Sequence, residues 1–169
     1  MKKLEGNLTI ITGGGKGIGF GLATAFAREG SNLVITGRNL ERLEAAAEKL
    51  QNEWDVKVLP IVADGVNEDA VQLVISKAYD TFGKIHSLII NDQVFKSGLS
   101  LVDHSREDFD VAILSGIYAT FFYMREAFPY LKESGGSVIN FASGAGLFGK
   151  PGQSSYAAAK EGIRGLSRV

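Results

Sequence analysis

Short apolar runs alternate along this chain with longer stretches in which apolar residues recur every three or four positions. Leu8–Thr12 reads as a buried strand, followed by a glycine-rich turn and a helix from about Ile18 to Glu29 that Gly30 closes. Leu33–Thr36 is a second strand. Leu40–Glu53 is helical, with Leu40, Leu43, Ala47 and Leu50 on one face. Val56–Val62 is a third strand, which Pro60 pushes toward a sheet edge. A helix from about Asn67 to Phe82 precedes a fourth strand at Leu88–Asn91. Ser105–Lys132 is a long helical stretch; Ser105 with Asp108 resembles an N-cap, and Pro129 predicts a kink or an early end. Ser137–Ser143 is a fifth strand, Gly144–Gly152 a loop, and the last segment a helix still running at Val169.

Parallel strands need crossover connections, and those crossovers are right-handed. The alternation therefore predicts an α/β fold, a doubly wound parallel sheet in the order 3-2-1-4-5 with helices on both faces. With 169 residues the chain fits one domain. The net charge of −1, without long basic runs, excludes a nucleic-acid surface. No apolar run approaches the ~20 residues that span a bilayer. The chain has no cysteine, which removes disulfides, thiolate metal sites and a thiol nucleophile, and suits a cytoplasmic address. Met1-Lys2-Lys3-Leu4-Glu5-Gly6-Asn7 lacks a signal-peptide core. His86 and His104 stand alone, so no metal site is expected.

Two segments carry chemistry. Thr12-Gly13-Gly14-Gly15-Lys16-Gly17-Ile18-Gly19 lies between the first strand and the first helix. Its spacing is neither G-x-G-x-x-G nor a Walker loop, since Gly17 follows Lys16, but the physics is shared. Glycines let the backbone approach a pyrophosphate, and the helix that follows offers free N–H groups. The second strand ends Thr36-Gly37-Arg38, with no acid to hold a ribose 2′-hydroxyl. Arg38 and Lys16 bracket a 2′-phosphate instead, which favours NADP and leaves NAD open; a solvated loop cation is the alternative for Arg38. The second segment is Tyr156-Ala157-Ala158-Ala159-Lys160. Residues four apart share a helix face, so the Lys ammonium sits beside the phenol and favours its ionised form. A phenol so placed exchanges a proton with an alcohol or a carbonyl.

These motifs in this order resemble the short-chain dehydrogenase/reductase family, with its Rossmann-like sheet. The resemblance covers the whole chain. It implies a cofactor turn made by Gly13, Gly15, Lys16, Gly17, Ile18 and Gly19, an adenine-contacting Asp64, and Asn91 beside the cofactor. It further implies a ketone–alcohol oxidoreductase in which Ser143 polarises the substrate oxygen and Tyr156 is the acid or base. Lys160 tunes Tyr156 and holds the nicotinamide ribose. Family members commonly pair the long helix across a dimer, so a homo-oligomer, dimer or tetramer, is implied.

The chain departs from the family at three places. Ile90-Asn91-Asp92-Gln93 stands where the family has Asn-Asn-Ala-Gly. Gly116 falls where the family has an Asn supporting a water relay behind the Lys, and Ser115 or an extra water is the candidate substitute. The family's sixth and seventh strands and its substrate lid have no counterpart before Val169, so the 169-residue form is expected to be poorly active alone. On these departures a second reading rests: a nucleotide-binding relative with impaired catalysis, regulatory or structural in role. If the relay is the weak link, Gly116→Asn is expected to raise turnover.

Overall fold

The computed structural model describes residues 2–169. Five parallel strands form one sheet in the order β3-β2-β1-β4-β5. They are β1 (Leu8–Thr12), β2 (Asn32–Gly37), β3 (Val58–Val62), β4 (Ser87–Ile90) and β5 (Ser137–Asn140). The helices are α1 (Gly17–Arg28), α2 (Leu40–Glu53), α3 (Glu68–Phe82), α4 (Arg106–Ile113), α5 (Ala119–Ser134), α6 (Gly144–Phe148) and α7 (Ser154–Leu166). The predicted order and pairing hold throughout, and Pro60 does lie on an edge strand.

Alternation along β1 explains the two layers. Leu8 and Ile10 point to one face, against Val71, Val74 and Ile75 of α3 and Tyr123, Ala127 and Leu131 of α5. Ile11 points to the other, against Ala23 and Ala27 of α1 and Leu43, Ala47 and Leu50 of α2. A central parallel strand needs both faces apolar, and all five residues of β1 are buried. β5 is the opposite case. Its residues are exposed or half-buried, with Val138 at 37% and Ile139 at 43%.

Caps set the helix starts. Asn39, Asn67 and Ser105 each accept a hydrogen bond from the backbone N–H three residues on, at 2.8, 3.0 and 3.1 Å. Five expectations are corrected. Pro129 does not end α5, which runs on to Ser134; its ring is exposed, and burial of Ala127 and Leu131 holds the helix across the lost bond. The long stretch from Ser105 is not one regular helix, because a π turn at Leu114–Tyr118 separates α4 from α5. β5 ends at Asn140, short of Ser143. Gly144–Phe148 is a short helix rather than loop, since the Ser143 hydroxyl accepts the Ala145 N–H at 3.1 Å and caps it. The last helix ends at Leu166, and the Ser167 N–H bonds the Ile163 carbonyl at 3.0 Å.

Candidate active site

Open parallel sheets leave a crevice at the carboxyl ends of their strands, and the residues singled out above gather there. The turn after β1 is drawn tight by contacts only glycine permits. A Cβ at Gly19 would stand 2.2 Å from the Gly13 carbonyl oxygen, and one at Gly14 would stand 2.7 Å from the Ile35 side chain. Gly13 and Gly17 have φ of +66° and +54°, the left-handed region. From β4, the Asn91 amide reaches across and donates to the Thr12 carbonyl at 3.1 Å. The Thr12 hydroxyl accepts the backbone N–H groups of Asn91 and Asp92 at 3.0 and 3.1 Å. Asn91 thus braces the turn as well as bordering the groove.

That groove is open and encloses about 790 Å3; Gly13, Gly15, Lys16, Gly17, Ile18, Arg38 and Asn91 line it, with Phe95 among the remaining lining residues. Lys16 and Arg38 are exposed and, among the described residues, take part in no ion pair, so both charges are available to a ligand anion. Asp64 follows β3 and lines a smaller adjoining cavity with Arg38; its carboxylate accepts the Val66 N–H at 3.2 Å. The residues present therefore fit a dinucleotide: a glycine cradle that a Cβ would fill, the start of a helix, two free cations, and a carboxylate just after the third strand.

Tyr156 and Lys160 lie one turn apart on α7, and the Lys160 ammonium stands over the Tyr156 ring, 5.5 Å from its centre. Lys160 is 5% exposed and donates to the Phe141 carbonyl at the end of β5. Ser143 lies two residues farther on. α6 packs directly on this turn of α7, since a Cβ at Gly146 would stand 2.8 Å from the Glu161 nitrogen and 3.2 Å from the Ala157 carbonyl oxygen. Ser143 is therefore tied to the same sheet end as Lys160.

Burial pushes the Lys160 ammonium down to about 8, from 10.5. The folded value lies below the unfolded one, so the native protein binds fewer protons than the unfolded chain between the two. Its burial costs stability below pH 8, and that cost is relieved as pH rises. Tyr123, pushed up to about 12 by burial, acts in the opposite sense above its ordinary 10, which leaves pH 8–10 as the clear window. In the cofactor-free protein we expect Tm, relative to a Lys160→Met variant, to rise by about 1–2 °C per pH unit there, allowing for partial solvation. Parallel Tm curves for the two proteins would refute this.

Three participants escaped the sequence reading. Phe95 stacks on Tyr156 with ring centres 4.0 Å apart and planes at 28°. His104 bridges the start of α7: Nδ1 lies 3.0 Å from the Ser100 carbonyl oxygen and 3.2 Å from the Ser154 hydroxyl, and Nε2 lies 3.4 Å from the Ser155 hydroxyl. Gln93 fills the space beside Gly116. Ser115, the candidate relay substitute, is already engaged. Its hydroxyl accepts the Val94 N–H at 3.0 Å and lies 2.8 Å and 2.6 Å from the Val94 and Val111 carbonyl oxygens.

Among the described residues no helix is long and apolar enough to cross a membrane, and no group of three or more His, Asp or Glu is placed to hold a metal. The short chain dehydrogenase model matches residues 7–169. A 12alpha-hydroxysteroid dehydrogenase of a Clostridium species is 56% identical across all of this chain, which covers 68% of that protein. The 3-oxoacyl-[acyl-carrier-protein] reductase of Thermotoga maritima is 34% identical over 99% of the chain and 68% of its own length. Among solved structures, levodione reductase superposes with a TM-score of 0.94 at 30% identity, over 98% of this chain and 65% of that one. An NAD+-bound xylitol dehydrogenase gives 0.93 at 27%, over 98% and 64%. The chain thus spans about two thirds of the length of these relatives. A match over nearly its whole length, on a fold with the same strand order, makes this chain a member of the short-chain dehydrogenase family of oxidoreductases.

Proposed function

We propose that the protein is an NADP-preferring oxidoreductase that interconverts a ketone and a secondary alcohol, with a hydroxysteroid as substrate. The observation that carries this reading is the pairing of Tyr156 and Lys160 on one turn of α7, above the carbonyl end of β5. The steroid class comes from the relative at 56% identity, and the apolar surroundings support it. Phe95 covers the Tyr156 ring, and Leu147 and Phe148 stand exposed on α6, just past Ser143.

Gly13–Gly19 would hold the cofactor pyrophosphate, Lys16 and Arg38 its 2′-phosphate, Asp64 the adenine, and Lys160 the nicotinamide ribose. The bound nicotinamide supplies or receives the hydride. In reduction, the Ser143 hydroxyl donates a hydrogen bond to the substrate carbonyl oxygen, and Tyr156 delivers a proton to it as charge develops there. The Lys160 ammonium then faces the negative oxygen left on Tyr156. Oxidation runs the same proton path backwards. Leu114, Tyr118, Phe121 and Phe128, exposed along the π turn and α5, support a homo-oligomer built on that helix.

The test is nicotinamide-absorbance turnover on a panel of keto- and hydroxysteroids and simple ketones, with NADPH and NADH, for the chain extended past Val169 and its Arg38→Asp variant. Steroid turnover is expected, with the variant losing NADPH affinity by at least about 10-fold, the scale of a charge-assisted bond. NADH should change far less. Equal loss for both cofactors would refute the 2′-phosphate assignment, and turnover of simple ketones alone would refute the steroid.

A further inference from the structure

Gln93 and Gly116 look separately like two damaged positions, but in space they meet. A Cβ at Gly116 would stand 2.6 Å from Gln93 Nε2, 3.1 Å from Gln93 Cδ and 3.1 Å from the Cβ of Ala159. The bulk that replaces a small residue after β4 is thus housed in the space a missing side chain leaves on the π turn. The Cβ that Gly116 lacks would itself face α7, at Ala159, one residue before Lys160.

The amide has a definite orientation. Nε2 donates to the Ala112 carbonyl at 3.2 Å, and a carbonyl can only accept, so nitrogen must face it. A π turn breaks the regular helical ladder, and this bond gives a carbonyl beside the break a donor. Oε1 is then left buried and without a partner. A native protein seldom leaves a buried acceptor unused. Gln93 also borders a cavity of about 30 Å3, shared with Thr12, Asp92 and Tyr123, which is large enough for one water.

We propose that Gln93 and Gly116 are a matched pair in which Gln93 is a positioning residue of the active site. Its carboxamide supplies, from the β4 loop, the polar group that position 116 lacks. Nε2 ties the loop after β4 to the end of α4, where the π turn begins, and Oε1 accepts a hydrogen bond from a water at the site's inner wall. The expectation that Gly116→Asn raises turnover is therefore reversed: an Asn side chain there must push the Gln93 carboxamide off the Ala112 carbonyl.

The role of Gln93 in turnover rests on the reading of Tyr156 and Lys160 as the reacting pair, so the test has two arms. In the first, Tm is measured for the protein, Gly116→Asn, Gln93→Gly and the double variant. Gly116→Asn alone should lower Tm by at least about 5 °C, and the double variant should recover at least half of the summed single losses. In the second, Gln93→Met keeps the volume and removes both polar atoms. Its Tm should stay within about 3 °C and its cofactor Kd within about threefold, while kcat falls at least about fivefold with KM nearly unchanged. Additive losses in the first arm, or an unchanged kcat in the second, overturn the proposal; a Gln93→Met protein that fails to fold leaves the first arm to decide. Absence of turnover in the unsubstituted chain extended past Val169 would count against the oxidoreductase reading alone, and the Tm cycle would still settle the pair.

Discussion

Replacing Tyr156 with Phe is expected to lower turnover at least ~100-fold, with cofactor affinity kept within about threefold. The substitution removes one hydroxyl and nothing else. The ring remains to stack on Phe95 at 4.0 Å, and the Lys160 ammonium, bonded to the Phe141 carbonyl, keeps its anchor. What is lost is the group that, in the proposed function, carries a proton to or from the substrate oxygen. Ser143 cannot replace it, because a serine hydroxyl without a base beside it is a poor proton donor, although it still orients the substrate. Single-turnover kinetics with bound nicotinamide would check this. Normal turnover by the Phe variant would eliminate Tyr156 as acid or base.

The second large effect is expected at Gly19. In a Gly19→Ala variant the new methyl would lie 2.2 Å from the Gly13 carbonyl oxygen and 2.7 Å from its carbon. Both are backbone atoms and cannot rotate aside, so the turn must open. An opened turn draws its N–H groups away from a pyrophosphate, and cofactor affinity should fall at least ~100-fold, with Tm several degrees lower. Gly21→Ala supplies the control. It lies two residues along α1, where a Cβ meets nothing within 4 Å, and alanine there is favoured over glycine by about 1 kcal/mol. Calorimetric cofactor titration and thermal melts of the two variants should diverge in sign; equal behaviour would refute the tight-turn account.

Much of this architecture is written in local pattern. Leu8–Thr12 and Leu40–Glu53 have the bounds expected from apolar runs and spacing, because both are buried by the elements their periodicity predicts. Ser105 was legible as a cap for the same reason: a cap acts within three residues. What stayed hidden depends on distant partners. Pro129 survives inside α5 because the sheet buries its neighbours Ala127 and Leu131. The π turn has no periodicity of its own and is understood only once Gln93 is seen against it. Phe95 is a single aromatic residue in an irregular loop, and its stack on Tyr156 brings together residues that no spacing rule connects. Within the site, the glycine turn and the Tyr156–Lys160 pair were readable because each is contiguous. The exchange between positions 93 and 116 was readable only as two separate losses.

The sheet also fixes where the protein breathes. β1 has two strands on either side and no exposed residue, so its amides should exchange with solvent only when the whole domain opens. Among the described residues β5 pairs with β4 alone. The glycine turn grows from β1; Phe141, which anchors Lys160, and Ser143 follow β5. The glycine turn is thus rooted in the strand that opens last, a cradle already rigid before any ligand arrives.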